Sequence, residues 1–278
     1  VKYVRLLRPR VCDVQQRGKN NLPEILTEIA DNTAIVTLNR PDHRNSITLA
    51  MWREIRTIFT TLGNDRKVRA VILTGAGGNF SVGADVSEFS KIRSGLAQSR
   101  EYELAVDASS DAIASVPQPV IAVLHGYCLG GGCHLSMACD FRYAHADAAI
   151  GIPAAKLSIV YGVRSTQRLF ALVGLTNAMR ILYSAERFSA ADAYQMGLID
   201  LVTNDPMSDA KSFGHSMASV APLSVQGAKQ ILTSLAMGVG RLDEGAANTF
   251  IDWVSDSNDY KEGRAAFAEK RPPVFRGS

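Results

Sequence analysis

Hydrophobic and polar positions change period several times along the chain, and each change marks an element. Ile25-Leu26-Thr27-Glu28-Ile29 and Ala34-Ile35-Val36-Thr37-Leu38 are short β-rich runs on either side of Asp31-Asn32. This is a hairpin signal, because both turn residues tolerate the left-handed conformation. Asn39-Arg40-Pro41-Asp42 closes the second run as a turn. From 48 to 62 the period becomes helical: Leu49, Met51, Trp52, Ile55, Ile58, Phe59 and Leu62 share one side, with Thr48 placed as a cap. Residues 68–74 and 119–124 are short, largely apolar runs of buried-strand length. A helix is expected between them near 100–115, and another after the glycines that follow the second run. Strand alternating with helix from 34 to 140 predicts an α/β core with parallel pairing.

Beyond about residue 165 the pattern becomes almost wholly helical, with Ser189, Asp209 and Ser224 as candidate caps. No linker, repeat or low-complexity stretch divides the chain. The expected organisation is a basic, flexible extension over 1–22, an α/β core over 23–205, and a helical region suited to self-association over 206–278.

Composition narrows the class. With 278 residues, 46% apolar and 21% charged, the chain can bury a core of its own. The net charge of +3 is small and gives no general nucleic-acid signature. Its excess sits at the start, where Lys2, Arg5, Arg8, Arg10, Arg17 and Lys19 face Asp13 alone. That segment reads as a solvated tail, or as a targeting remnant, or more remotely as an arm touching nucleic acid. Cys12, Cys128, Cys133 and Cys139 match no zinc spacing and fit free thiols in a reducing compartment. No apolar run has the length of a membrane span. The expectation is a cytoplasmic protein, or one of an organelle matrix if the basic segment is a targeting remnant.

The chemistry concentrates in two glycine-rich turns, each following a strand. Thr74-Gly75-Ala76-Gly77-Gly78-Asn79-Phe80-Ser81-Val82-Gly83-Ala84-Asp85 is not a dinucleotide fingerprint, because position 80, where glycine is needed, is Phe80. His125-Gly126-Tyr127-Cys128-Leu129-Gly130-Gly131-Gly132-Cys133-His134 lacks the Gly-Lys-Ser/Thr of a phosphate loop. It leads instead into an accessible helix N-terminus, whose amides are unpaired and whose dipole favours negative charge. One exposed N–H from each turn meets the requirement of an oxyanion hole.

Phe80-Ser81-Val82-Gly83-Ala84-Asp85-Val86 and His125-Gly126-Tyr127-Cys128-Leu129-Gly130-Gly131-Gly132-Cys133 resemble the signature segments of the crotonase (enoyl-CoA hydratase/isomerase) superfamily. Leu38-Asn39-Arg40-Pro41, Thr166-Gln167-Arg168-Leu169, Ala190-Ala191-Asp192-Ala193 with Gly197-Leu198-Ile199, and Lys261-Glu262-Gly263-Arg264-Ala265-Ala266-Phe267 resemble it too, in order from about 24 to 274. The resemblance implies a crotonase-like spiral of ββα units with a C-terminal helical trimerisation region, assembled as a homotrimer or a dimer of trimers. It implies an acyl-CoA substrate whose thioester carbonyl sits between the N–H groups of Ala84 and Gly131, with no metal and no cofactor beyond the substrate's own coenzyme A. Arg40, Arg44, Asp85, Phe267 and Lys270 are the implied substrate-binding residues. The adenine end lies near 42–47, with Phe267 and Lys270 closing over it from a neighbouring subunit.

The chain departs from the family where protons move. Hydratases of the family use two glutamates; the matching positions hold His134 and Ala154, and alanine cannot exchange a proton. His134, in a first helical turn that favours the neutral base, is one candidate replacement. Tyr161 resembles a pocket tyrosine of decarboxylating relatives and is the other. Lys156, Ser158 and Arg164 are candidate polar contacts, Glu101 and Glu103 are candidate acids, and His125 and His145 read as structural. The resemblance implies a hydratase/isomerase-type enzyme of acyl-CoA and fatty acid metabolism, a lyase or isomerase. Decarboxylation or C–C hydrolysis through His134 and Tyr161 is a second reading, and a non-catalytic acyl-CoA- or RNA-binding member a third.

Overall fold

The computed structural model describes residues 22–217, 222–237, 249, 252, 253 and 255–274. The basic segment and Cys12 lie outside them. The hairpin forms as expected: β1 (Ile25–Ala30) and β2 (Thr33–Leu38) pair antiparallel, Ala30 opposite Thr33. Asp31 and Asn32 both adopt positive φ, 47° and 63°, as a two-residue turn that follows the strand twist requires. In α1 (Leu49–Gly63), Thr48 accepts from Met51 N at 3.2 Å, and Met51, Trp52, Ile55, Phe59 and Leu62 are buried.

The chain then repeats strand, strand, helix. β3 (Ala70–Gly75) precedes a short α2 (Phe89–Ile92) and a long α3 (Leu96–Ser115). β4 (Val120–Leu124), β5 (Tyr127–Leu129) and α4 (Gly131–Ala138) form one ββα unit. β6 (Phe141–His145), β7 (Ala149–Gly151) and α5 (Val163–Ser184) form the next. α5 is broken at Gly174, whose φ of 70° and ψ of 175° are not helical. β8 (Phe188–Ser189), α6 (Ala190–Gln195), β9 (Leu201–Thr203), α7 (Pro206–Met217), α8 (Pro222–Ala236) and α9 (Asn258–Ala268) complete the described elements.

Strands β1-β2-β3-β4-β6-β9 make one sheet, parallel except for the opening hairpin, and β5-β7-β8 make a small second sheet. The runs are largely apolar because β3 and β4 are covered on both faces. Val71, Leu73, Val120 and Ala122 face the large core with Trp52, Phe59 and Ile113, while Ile72, Ile121 and Val123 pack against Ala210 of α7.

Three expectations need correction. The region after 165, expected to be almost wholly helical, also holds the short strands β8 and β9, and β9 extends the main sheet. Asp209 falls within the first turn of α7; the cap is Asp205, whose Oδ1 accepts from Ser208 N at 3.0 Å. Ser224 likewise lies inside α8, which starts at Pro222. Ser189 does cap α6, in a reciprocal capping box with Asp192.

Candidate active site

β3 and β4 are parallel neighbours, so the turns leaving their carboxyl ends emerge side by side, where open α/β sheets hold ligands. Backbone hydrogen bonds join the turns: Phe80 N donates to His125 O (2.8 Å), Ser81 N to Tyr127 O (2.9 Å) and Leu129 N to Ser81 O (2.9 Å). Ile47 clamps the first turn on either side of Ala84, with Ile47 N donating to Gly83 O (2.8 Å) and Asp85 N to Ile47 O (2.9 Å).

The amides of Ala84 and Gly131 donate to no acceptor among the described residues. They lie close together: a methyl group on Gly131 would stand 3.2 Å from Ala84 N, and one on Gly83 would stand 2.7 Å from Gly131 N. Glycine is thus required at 83 for the turns to approach, and its φ of +93° adds a second reason. Gly131 opens α4, so its N–H is one of the unpaired amides at the positive end of the helix dipole. Trp52 walls the site, its Cζ2 3.0 Å from the position of that Gly131 methyl, and its Nε1 donates to Tyr102 Oη at 2.9 Å.

Arg40 and Asp85 are paired with each other beside this turn. Arg40 Nη1 meets Asp85 Oδ2 at 2.8 Å and Ser46 O at 2.8 Å, and its Nε lies 3.0 Å from Glu24 Oε1. The charge of Arg40 is thus met within the protein by Asp85 and Glu24. Asp85 also accepts from Ser46 Oγ (3.2 Å) and Ser87 N (3.1 Å). Burial raises its pKa, but hydrogen bonds from Ser87 and Arg40 outweigh this and hold it at about 2.

His134 is buried at 1% exposure. Its Nδ1 lies 2.6 Å from Ser165 Oγ, and its ring stands edge-on to Trp52 and Tyr161 at centroid distances of 6.3 and 6.2 Å. Burial and then the Arg168 charge lower its pKa to about 3, with the Val106 carbonyl opposing. Nε2 makes no hydrogen bond of good geometry. The imidazole is therefore neutral across the physiological range. Tyr161, at the entry to α5, donates to Gly130 O at 3.4 Å, one residue from the Gly131 amide. Burial first pushes its phenol well above the ordinary range, so it stays a neutral proton donor. Ala154 lies in the 3-10 turn Pro153–Leu157 and packs against the core.

The acids of α3 divide sharply. Glu101 is exposed and pairs with Arg53 at 2.6 Å; Glu103 pairs with buried Arg93 at 2.9 Å. Asp111 receives both Arg164 (3.0 Å) and Arg168 (2.6 Å). Asp107 was passed over in the sequence, yet its carboxyl is half-buried, has no ion-pair or hydrogen-bond partner among the described residues, and acts electrostatically on Tyr161. Burial first, then Glu103 and Asp111, raise it to about 6. The signal available was its i, i+4 spacing from Glu103 and Asp111.

A cavity of about 510 Å³ opens beside the Ala84 turn, lined by Val86, Phe89, Leu157, Ile159, Arg264 and Phe267. Phe267 thus joins residues of its own chain, while Lys270 is exposed beyond α9. Arg44 lies over the Tyr127 ring at 5.6 Å, and Arg187 lies over the same ring at 5.2 Å. Of the loop candidates, Lys156 is exposed, Ser158 ends the 3-10 turn at φ 53°, and Arg164 is held by Asp111. The His125 and His145 rings lie 5.7 Å apart, tilted by 31°, with His145 bonded to Asp147. Among the described residues no three His, Cys, Asp or Glu side chains are grouped to hold a metal ion, and no helix is long and apolar enough to cross a membrane.

Residues 28–278 match the family model described as enoyl-CoA hydratase/isomerase. The chain is 32% identical to the short-chain-enoyl-CoA hydratase of Clostridium acetobutylicum, over 90% of this chain and 96% of that protein. It is equally 32% identical to the (E)-benzylidenesuccinyl-CoA hydratase of Thauera aromatica, over 91% and 99%. Its fold superposes on a methylmalonyl-CoA decarboxylase bound to 2-nitronate-propionyl-CoA with a TM-score of 0.85, at 22% identity over 93% of this chain and all of that one. Likeness of this extent, on a scaffold with the two glycine turns in place, makes the chain a member of the enoyl-CoA hydratase/isomerase (crotonase) superfamily and an acyl-CoA enzyme of it.

Proposed function

We propose that the chain is an acyl-CoA lyase that holds a thioester oxygen between the N–H groups of Ala84 and Gly131 and works through the enolate so formed. The observation that carries this reading is the pair of neighbouring, unengaged amides, one at a helix N-terminus. Two fixed donors beside an oxygen that gains charge need no reorganisation during reaction, which is why such sites lower barriers strongly. The two relatives named as hydratases favour water addition to an enoyl-CoA. Tyr161 delivers the proton to the enolate carbon. The cavity beside Val86 and Phe267 takes the substrate chain, and Arg44 and Lys270 meet the phosphates.

Steady-state turnover of short- and medium-chain enoyl-CoA thioesters tests this reading, monitored by loss of the conjugated thioester absorbance. Absence of both turnover and α-proton exchange would remove it. A second reading, decarboxylation of malonyl-type thioesters, is favoured by the neutral residues at 134 and 154, because loss of carbon dioxide needs no base. Release of carbon dioxide without hydration would select it. Self-association through α8 is also proposed, since Ile231, Leu232 and Leu235 are exposed there; light scattering checks for a trimer or hexamer.

A further inference from the structure

Glu103, Asp107 and Asp111 lie four residues apart, on one face of α3. The outer two are each neutralised by arginine: Arg93 folds back to Glu103, and Arg164 and Arg168 of α5 converge on Asp111. Among the described residues the middle carboxyl has no cation in contact, although both α5 arginines are near enough to act on it. It is also not solvated like a surface acid, being half-buried. One residue before it, the Val106 carbonyl meets the His134 ring. This turn of α3 therefore backs on to α4, whose first residue is Gly131, and on to Tyr161.

We propose that Asp107 is the catalytic carboxyl of this site, taking the proton of the attacking water in place of the acid that Ala154 does not supply. The inference rests on the reading of the site as one that forms a thioester enolate. The carboxylate accepts a proton from water as the water oxygen bonds to C3 of the enoyl group. The C2=C3 electron pair moves toward C1, and the carbonyl pair moves on to the thioester oxygen held by Ala84 and Gly131. The enolate then takes a proton at C2 from Tyr161, and the phenolate regains one from Asp107 through solvent. Water has been added and both residues are restored.

The electrostatics agree with this role. The groups facing Asp107 are Glu103 and Asp111 on its own helix, Arg164 and Arg168 from α5, and Tyr161 before it, with His134 neutral on α4. Burial and the two acids outweigh the two arginines, leaving a carboxyl near pH 6, close to where a general base works best. Such a group is destabilising when ionised, so a purely structural role and a catalytic one predict opposite signs of stability change.

The experiment compares wild type, Asp107→Asn, Asp107→Glu and the surface control Glu101→Gln, using enoyl-CoA turnover from pH 5 to 9 and thermal unfolding at pH 7. The expected results are a kcat for Asp107→Asn about 10²–10⁴-fold below wild type, an acid limb near pH 6 that the variant lacks, partial rescue by glutamate, and a Tm for Asp107→Asn at or above that of wild type. A kcat within threefold of wild type overturns the proposal, and so does a lost kcat with an unchanged acid limb. Should Asp107→Asn fail to fold, the wild-type profile still decides: the absence of an acid limb between pH 5 and 7 overturns it. If wild type itself neither hydrates nor exchanges the α-proton, the underlying enolate reading has failed, and not the choice of Asp107 alone.

Discussion

Gly131→Ala separates the oxyanion site from everything around it. The added methyl would stand 3.2 Å from Ala84 N and 3.0 Å from Trp52 Cζ2, in the space an oxygen must occupy to reach both amides. The backbone accepts alanine there, because Gly131 is the first residue of α4 and is not among the glycines at positive φ. Alanine gains up to about 1 kcal/mol over glycine in a helix, and crowding against Trp52 costs roughly 1–3 kcal/mol. The net loss of stability is about 3 kcal/mol at most, roughly ten degrees in Tm. Catalysis should suffer far more, since losing one oxyanion donor costs about 10²–10³ in rate, or roughly 2.7–4 kcal/mol, and the methyl obstructs two. We expect kcat/KM for an enoyl-CoA to fall at least 10²-fold (the lower end of that range) in protein that remains folded at the assay temperature. Gly95→Ala, where the methyl meets nothing within 4 Å, is the matched control. A folded Gly131→Ala enzyme within threefold of wild type would show that no substrate oxygen sits between these amides.

Three further expectations concern the surroundings of the site. His134 has its folded pKa lowered to about 3, so its contribution to stability is complete above about pH 6.5 and is lost as pH falls from there toward 3, at about 1.4 kcal/mol per pH unit. Urea unfolding between pH 4 and 7.5 should be flatter for His134→Gln than for wild type, and coincident slopes would refute the buried neutral imidazole. Asp85, lowered to about 2, contributes stability above about pH 4 that disappears as pH falls toward 2. Asp85→Asn should remove that acid transition and, by loosening the Ala84 turn, lower kcat more than it raises KM. Phe267→Ala should raise KM severalfold for medium-chain thioesters while leaving kcat for the shortest unchanged, because Phe267 lines the cavity and does not touch the amides; equal effects on all chain lengths would contradict that assignment.

The hairpin, α1 and the two glycine turns are legible in the sequence because each is a local signal. Asp31-Asn32 sets the turn, Thr48 sets the cap, and the glycines permit an approach that a methyl would block. What escapes the sequence is what depends on distant partners. β5, β7, β8 and β9 have two or three residues each, too few to show a period; they exist because neighbouring backbone completes their hydrogen bonds. At α7 the proline at position 206 was the better clue, since proline favours the first turn and Asp205 precedes it. Arg40 looks like a free cation in the sequence, and only folding brings Asp85, 45 residues on, to neutralise it. In the same way α3 carries four acids, and which of them stays unpaired is decided by Arg93, Arg164 and Arg168.

The two halves of the site obey different constraints. The amides of Ala84 and Gly131 belong to the backbone, so what selection must preserve for them is close approach: glycine at 83 and 131, the Ile47 clamp, and the Arg40–Asp85 pair beneath. None of this depends on how the reacting carbons exchange protons. The proton-transfer groups are side chains, and a side chain can change without disturbing a backbone amide. The amides and the side chains around them can therefore vary independently, and positions 134 and 154 here hold His134 and Ala154. Under the proposed function the glycine turns would carry the substrate class, and the choice between hydration and decarboxylation would rest on positions 107, 134, 154 and 161. Among these only Asp107 can ionise near neutral pH, because His134 and Tyr161 are held neutral by burial and Ala154 has nothing to ionise.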